Sequence, residues 1–259
     1  MNDSYIHKGA KIGDNVTIDP FAVIHDDVVI GNNCRIHSHT TIYPGARIGE
    51  RCEIFPCASI AAVPQDLKFR GEYSVVEIGD DNRIRECVTI NRGTAASGKT
   101  IIGNDNLIMA YSHIAHDCRI GNHCVLANGT TLAGHIEIDD WVLTGGVAAI
   151  HQFVKIGQHA ILMGGSLVDK DVPPFVKAAK FPLSYHGVNS VGLERRGFTQ
   201  EQINDIQSIY RVLFQSGLPY TEAVDRIKQL PMTPNLQIIL DFLNRSERGL
   251  MRGYVNSKE

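Results

Sequence analysis

Residues 6–60 read IHKGAKIGDNVTIDPFAVIHDDVVIGNNCRIHSHTTIYPGARIGERCEIFPCASI, and isoleucine occupies every sixth position from Ile6 to Ile60. The series continues to Val168, so that 24 of the 28 multiples of six between 6 and 168 carry Ile, Leu or Val. The exceptions are Asp66, Glu72, Ala96 and Thr144. A period of six excludes an amphipathic helix, in which apolar residues recur every 3.6 residues.

A second series of mostly small residues runs two positions before the large ones: Ala10, Val16, Ala22, Val28, Cys34, Thr40, Ala46, Cys52 and Ala58. Gly, Asp or Asn often follows the large residue, and these residues tolerate turns. One large and one small inward side chain per hexad, followed by a turn, describe short strands joined at corners. Three such strands close a coil of about 18 residues, so the sequence predicts a three-sided parallel β-helix.

The repeat is interrupted near residues 61–76 and 91–100, where we expect loops that leave the prism. Pro173 and Pro174 end the pattern because they lack a backbone donor.

A different periodicity follows the two prolines. Thr199 and Gln202 fit a capping box at the start of an apolar series with helical spacing. Further helical patterns cover roughly 220–230 and 235–249. We therefore expect a β-helix at residues 1–185 and a small α-helical domain at 186–259.

Composition excludes several classes of protein. The 259 residues are 43% hydrophobic and carry a net charge of −3, which argues against disorder and against nucleic-acid binding. No apolar stretch approaches a membrane span, and the start MNDSYIHKGA lacks the features of a signal peptide, so we expect a cytoplasmic protein without membrane insertion. Four of the six cysteines occupy the small inward position, which predicts reduced thiols: Cys34, Cys52, Cys118 and Cys124.

Six histidines fall outside the inward positions and are expected to project from the prism: His113, His116, His123, His135, His151 and His159. Because residue i lies beside residue i+18, His116, His135 and the pair His151 and Gln152 should form a column on one corner, with layers ~5 Å apart. Such a column suits either a general base, oriented by Asp117, or a zinc site built from imidazoles.

Several segments resemble the UDP-N-acetylglucosamine O-acyltransferase family, which starts lipid A synthesis in Gram-negative bacteria. They are QDLKF, IGDDNRIRECVTINRGT, DNLIMAYSHIAHDCRIGNHCVLANGTTLAGH, IHQFVKIG, DVPPFV and GVNSVGLERRGF. The resemblance covers nearly the whole chain and implies a left-handed prism. It also implies a homotrimer with active sites between neighbouring prisms, and transfer of a 3-hydroxyacyl group from acyl carrier protein to the 3-hydroxyl of UDP-N-acetylglucosamine.

The resemblance also implies roles for individual residues. His116 is the general base, Asp117 supports it, and the backbone N–H of Gly134 stabilises the oxyanion, without cofactor or metal. The residues expected to contact the sugar, the acyl chain or the nucleotide are Asp66, Lys68, His113, His135, His151, Gln152, Gly164, Asn189, Arg195 and Arg196.

Two departures from the family pattern are Asn91, where a histidine is common, and Val191, where a glutamate is common. They weaken the expectation for the nucleotide contact and the acceptor. One alternative is an N-acyltransferase acting on a 3-amino sugar. The related N-acyltransferase with an extra N-terminal domain is disfavoured because the repeat already begins at Ile6. A zinc-dependent hydratase is the other alternative.

Overall fold

A computed structural model describes residues 4–253, and its first part is a prism with three faces of parallel strands. The chain passes from face 1 to face 2 to face 3 and then climbs to the next coil. Paired strands on neighbouring coils are 18 residues apart where no loop intervenes, as Val125 and Leu143 are. The predicted left-handed parallel β-helix, followed by helices, is confirmed.

The strands are short and follow the hexad. Face 1 contains β1 (Tyr5–Ile6), β4 (Val23–Ile24), β7 (Thr41–Ile42), β10 (Ser59–Ala62), β13 (Thr89–Asn91), β16 (His113–Ile114), β19 (Thr131–Leu132), β22 (Ala149–Ile150) and β25 (Leu167–Val168). Face 2 contains β2 (Lys11–Ile12), β5 (Val29–Ile30), β8 (Ala46–Ile48), β11 (Val75–Ile78), β14 (Lys99–Ile102), β17 (Arg119–Ile120), β20 (Glu137–Ile138) and β23 (Lys155–Ile156).

Face 3 contains β3 (Thr17–Ile18), β6 (Arg35–Ile36), β9 (Glu53–Ile54), β12 (Arg83–Ile84), β15 (Leu107–Ile108), β18 (Val125–Leu126), β21 (Leu143–Thr144), β24 (Ile161–Leu162), β26 (Val176–Ala179) and β27 (Ser184–Val188). The last pair, β26 and β27, is antiparallel. This hairpin was not predicted, because the hexad ends before it.

Both inward series form the core. From Ile24 onward the large residues are buried, whereas Ile6 and Ile12 are more accessible at the open end of the prism. The four cysteines of the small series are buried free thiols, as predicted. Thr144 stays in its strand despite its polarity, because its hydroxyl pairs with that of Thr130 at 2.7 Å.

Corner residues adopt positive φ values, which reverse the chain direction tightly. Such values cost energy in most L residues but less in Asn and Asp, which occupy many corners: Asn15, Asp27, Asn33, Asp81, Asp105 and Asp117. We name the three edges corner 1/2, corner 2/3 and corner 3/1 after the faces that they join. Asp117 and His135 both lie on corner 1/2, with φ values of 60° and 61°.

Two excursions leave the prism, between β10 and β11 at residues 63–74 and between β13 and β14 at residues 92–98. Four helices follow the prism: α1 (Ser190–Arg195), α2 (Gln200–Gln215), α3 (Tyr220–Lys228) and α4 (Pro234–Arg245). Helix α2 begins with the predicted capping box of Thr199 and Gln202. Helix α1 was not predicted, since six residues are too few to show a helical period.

The helices are tied to the upper end of the prism by hydrogen bonds to Asp171 and Pro174. The buried Asp171 carboxylate accepts hydrogen bonds from the backbone N–H groups of Lys155, Glu247 and Arg248 and from the Ser246 hydroxyl. The Tyr210 hydroxyl, fully buried on α2, donates to the Pro174 carbonyl at 2.6 Å. Over residues 4–253, none of the helices has the length and apolarity that a bilayer crossing requires. The division at residues 185 and 186 stays a prediction.

Candidate active site

His116 and Asp117 form a buried pair on corner 1/2. His116 Nδ1 lies 2.7 Å from Asp117 Oδ2, and the side chains are 8% and 0% exposed. Adjacent residues on an extended strand point apart, but the positive φ of Asp117 turns its carboxylate back toward the preceding ring. The hydrogen bond places the proton on Nδ1 and leaves Nε2 as the basic nitrogen.

Asp117 is held as a carboxylate by the second excursion. It accepts hydrogen bonds from the Thr94 backbone at 3.0 Å, from the Thr94 hydroxyl at 2.7 Å and from the Ser97 hydroxyl. Burial raises the pKa of Asp117, but the hydrogen bonds from Ser97, His116 and Thr94 outweigh burial and lower this pKa to about 2. The group is therefore charged at neutral pH and stabilises a protonated His116.

These hydroxyl groups were not predicted as functional residues. The interruption near 91–100 indicated a binding loop, but nothing in the spacing showed that Thr94 and Ser97 return to Asp117. The burial of His116 was also missed, because histidines outside the inward positions were expected to project freely. Excursion 92–98 supplies the two hydroxyl groups that hydrogen-bond to Asp117.

The column on corner 1/2 differs in part from its prediction. The His135 ring meets the His116 ring edge-on, with centroids 5.0 Å apart, and its Nε2 lies 3.8 Å from Asp117 Oδ2. The ring stacked above His135 is that of Phe153, at 4.6 Å, and not that of His151. His151 precedes this corner, because positions 117, 135 and 153 are the ones that share it.

His113 and His135 flank His116 as neutral imidazoles. Burial lowers the pKa of His113, and the charge of a protonated His116 lowers it further. Burial also lowers the pKa of His135, although the Asp117 carboxylate opposes this effect. His113 Nδ1 lies 2.7 Å from the Thr89 hydroxyl on the neighbouring strand.

Gly134 lies directly against the His116 ring. A Cβ atom at this position would come within 2.6 Å of Cε1 and 2.8 Å of Nε2 of His116. Among the described residues, no acceptor pairs with the Gly134 backbone N–H. The position thus combines close approach to the base with a free donor, as the predicted oxyanion role requires.

Excursion 63–74 reaches the same corner. Asp66 accepts the backbone N–H of Lys68 at 2.9 Å, which closes a tight turn with Leu67 95% exposed at its tip. The negative charge of Asp66 raises the pKa of His135, and the positive charge of Lys68 lowers it. Both predicted binding residues therefore lie near the His116–Asp117 pair.

An apolar groove of about 350 Å³ runs along face 1 beside this corner. His113 and His151 lie at its edge, and its floor is mainly apolar: Ala115, Leu132, Ala133, Ala149, Ile150, Leu167 and Val168. His151 and Gln152 are exposed, so their side chains are free to contact a ligand. The shape and lining suit a hydrocarbon chain.

The remaining predicted residues lie elsewhere on the molecule. Asn189 caps α1 by accepting the Gly192 N–H and donates to the His159 carbonyl at 2.9 Å on corner 2/3. Arg196 lies over the Trp141 ring at 5.1 Å, and its Nη1 is 3.3 Å from His159 Nδ1.

These contacts use both ends of the Asn189 amide, whereas Arg195 is exposed on α1. Gly164 lies on corner 3/1, between β24 and β25. A single chain thus does not bring all the predicted residues together. His159, buried in the aromatic stack of corner 2/3, has its pKa lowered to about 4 by burial and by Arg196.

His116, Asp117 and His135 also form a group whose ligand atoms lie within 4.8 Å of one another. The zinc alternative required three imidazoles, and this group contains two. Its Asp117 oxygens already accept hydrogen bonds from Thr94, Ser97 and His116, so a cation would have to displace them. The donors favour a hydrogen-bonded pair over a metal centre.

Comparison with known proteins shows similarity to acyltransferases that contain hexapeptide repeats. Residues 171–251 match the model for domain 2 of UDP N-acetylglucosamine O-acyltransferase, and residues 9–44, 27–62 and 99–134 match the bacterial transferase hexapeptide repeat. An acyl-(acyl-carrier-protein)–UDP-N-acetylglucosamine O-acyltransferase from Thiobacillus denitrificans is 50% identical over 246 residues, which cover 94% of this chain and 95% of that protein.

A protein of the same name from Janthinobacterium sp. is 47% identical over 205 residues, covering 77% of this chain and 78% of its own. The solved UDP-N-acetylglucosamine acyltransferase from Bacteroides fragilis superposes with a TM-score of 0.95 at 48% identity, over 97% of this chain and 99% of that one. The fold, the pair of His116 and Asp117 and these similarities agree. The chain therefore belongs to the UDP-N-acetylglucosamine O-acyltransferase family.

Proposed function

We propose that this protein transfers a 3-hydroxyacyl chain from acyl carrier protein to the 3-hydroxyl of UDP-N-acetylglucosamine, the first step of lipid A synthesis. The observation that carries the proposal is the buried pair of His116 and Asp117 beside an apolar groove. An alcohol is a weak nucleophile at neutral pH and needs a base, and the groove suits the acyl chain. The predicted cytoplasmic location stays a prediction.

In the proposed reaction His116 Nε2 removes the proton from the sugar hydroxyl as its oxygen attacks the thioester carbonyl. Asp117 stabilises the imidazolium that forms, through the Nδ1 hydrogen bond. The negative charge moves to the carbonyl oxygen, where the Gly134 N–H donates to it. The carbon–sulfur bond then breaks, and the imidazolium returns its proton to the leaving thiolate.

The outward rows of the three faces support the proposal of a homotrimer. Seven outward residues of face 2 are charged: Lys11, Arg47, Glu77, Lys99, Arg119, Glu137 and Lys155. Face 1 presents no Lys, Arg, Asp or Glu in its row of strand residues within 4–253, and the upper part of face 3 presents Leu107, Val125, Leu143 and Ile161. The charged row of face 2 suits solvent and ion pairs with the helical part, such as that of Glu137 with Arg245, whereas face 1 and the upper part of face 3 suit burial against neighbours.

Packing face 1 of one prism against face 3 of the next closes a ring with corner 3/1 at its axis. This arrangement brings corner 1/2 of one subunit, with His116 and His135, next to corner 2/3 of its neighbour, with Asn189 and Arg196. The proposed trimer therefore unites two groups of predicted residues that a single chain keeps apart.

Complementation between variants tests the shared site. We expect His116→Ala and Arg196→Ala proteins to be nearly inactive alone, because each lacks one half of the site. Dissociated and reassembled together at equal concentration, they should regain about a quarter of wild-type activity, since random assembly unites two intact halves at that frequency. No recovery in a reassembled mixture would mean that both residues serve one subunit.

A transfer assay read by mass spectrometry tests the activity. Purified protein receives 3-hydroxyacyl carrier proteins of several chain lengths, with either UDP-N-acetylglucosamine or its 3-amino analogue as acceptor. We expect an ester on the hydroxyl acceptor and no product from the free fatty acid, which lacks a thioester. Acylation of the amino analogue alone would establish the N-acyltransferase alternative, which Asn91 and Val191 had left open.

Metal analysis of the same sample addresses the hydratase alternative. Stoichiometric zinc, together with loss of activity in a chelator, would contradict the base mechanism. Transfer activity that survives the chelator supports it.

A further inference from the structure

The segment Asn91–Lys99 connects the two parts of the candidate site. It leaves face 1 at the end of β13 and returns on face 2 at β14, passing beside corner 1/2. One side of it contacts excursion 63–74, which carries Asp66 and Lys68. The other side contacts Asp117.

On the first side, consecutive residues hydrogen-bond both ends of excursion 63–74. The buried Asn91 amide donates to the Val63 carbonyl at 3.2 Å, and the Arg92 N–H donates to the Ala62 carbonyl at 3.1 Å. The Gly93 N–H donates to the Val75 carbonyl at 3.3 Å.

The Arg92 side chain reaches further into the same excursion. Its guanidinium lies 5.7 Å from the centre of the Phe69 ring, next to Lys68, and its Nη1 donates to the Pro44 carbonyl at 3.3 Å. A planar cation that stacks on one segment while donating to another fixes their relative position. Ala95 adds a backbone hydrogen bond to Glu72 at 3.0 Å.

On the second side, the hydrogen bonds from Thr94 and Ser97 hold the Asp117 carboxylate that orients His116. The start and the end of the segment pack closely against each other: a Cβ at Gly93 would lie 2.2 Å from the Lys99 backbone nitrogen.

We propose that residues 91–97 act as a two-sided brace, in which Arg92 positions the substrate-binding excursion and Thr94 positions the catalytic pair. Neither side chain is assigned contact with the reacting atoms. The brace rests on the proposed function for its kinetic consequences, but its effect on excursion 63–74 is independent of any substrate. Asn91 acquires a role here, as the tie to Val63, at the position where the family pattern often has histidine.

The kinetic test separates the two sides. For Arg92→Ala we expect KM for UDP-N-acetylglucosamine to rise about tenfold with kcat within about twofold of wild type, since one well-placed contact is worth roughly that factor. For Thr94→Val we expect the opposite split, with kcat about tenfold lower and KM little changed, and Thr94→Ser should restore kcat. Arg51→Ala, on an exposed arginine of corner 2/3 in a lower coil, is the matched control and should change neither constant.

Hydrogen exchange of the unliganded protein provides the structural readout. Amides of residues 63–74 should exchange faster in Arg92→Ala than in wild type or Arg51→Ala, whereas those of the prism core should not change. Unchanged exchange in excursion 63–74 would overturn the brace even if transfer activity is found. If exchange changes as expected but no variant or wild-type protein transfers acyl groups, the brace stands and the proposed function fails.

Discussion

The His116→Ala variant is expected to fold normally and to lose between about 10²- and 10⁴-fold in kcat, which is the range that a general base contributes. The ring is almost fully buried, but its removal leaves Asp117 hydrogen-bonded to Thr94 and Ser97, so the carboxylate does not become an unpaired charge. The measurement is steady-state transfer from hydroxyacyl carrier protein, with melting temperature and size-exclusion mass as checks on folding and assembly.

His25→Ala provides the control for loss of a corner histidine. His25 stacks on Tyr43 in a lower coil, with ring centroids 5.2 Å apart, and takes no part in the candidate site. It should retain wild-type kcat. An His116→Ala enzyme that kept more than about a tenth of wild-type kcat would remove His116 from the role of base.

The second large effect is expected for Gly134→Ala, a change of one methyl group. The new Cβ would overlap Cε1 and Nε2 of His116, so the ring must move away from the position that its hydrogen bond to Asp117 sets. A displacement of about 1 Å in a catalytic group can cost about 10² in rate, and we expect kcat to fall by at least that factor. Backbone strain is not the cause, since Gly134 does not have a positive φ.

Gly9→Ala is the matched control, because Gly9 lies in the first coil and a Cβ there meets only the side chains of His7, at 3.2 Å, and Asp26, at 3.7 Å. Both variants should melt close to wild type, and only Gly134→Ala should be slow. Equal kcat for the two would show that the His116 ring moves aside without cost, which would contradict its fixed placement in the mechanism.

The three-sided parallel prism could be predicted from residue period alone, whereas its left hand was implied by the family resemblance. Each hexad contains its own strand, turn and core residues. The burial of Ile24 or Cys34 therefore follows from its position in the hexad, without knowledge of distant sequence. The hairpin of β26 and β27 and the short helix α1 were not predicted, because they are single elements without a repeat. Their positions depend on packing against the prism end, as the hydrogen bond from Tyr210 to Pro174 illustrates.

Less of the candidate site could be predicted from the sequence, because part of it lies outside the repeat. The 18-residue coil places His116 near Gly134 and His135, and these contacts are present. The coil says nothing about residues that leave it, so the hydrogen bonds of Thr94 and Ser97 and the burial of His116 could not be inferred. The corner position is Phe153, two residues after His151, so Phe153 and not the predicted His151 stacks on His135.

The stacking of coils also determines the order in which the protein unfolds. Each coil contacts only those directly above and below it, so stability accumulates as a sum over neighbours along one axis. The upper end is sealed by the Asp171 hydrogen bonds and the helices, whereas Tyr5 and Ile6 remain exposed at the lower end. Unfolding should therefore begin at the first coil and proceed upward one coil at a time. The coils that carry His116 and Asp117, in the upper half, are then among the last to open.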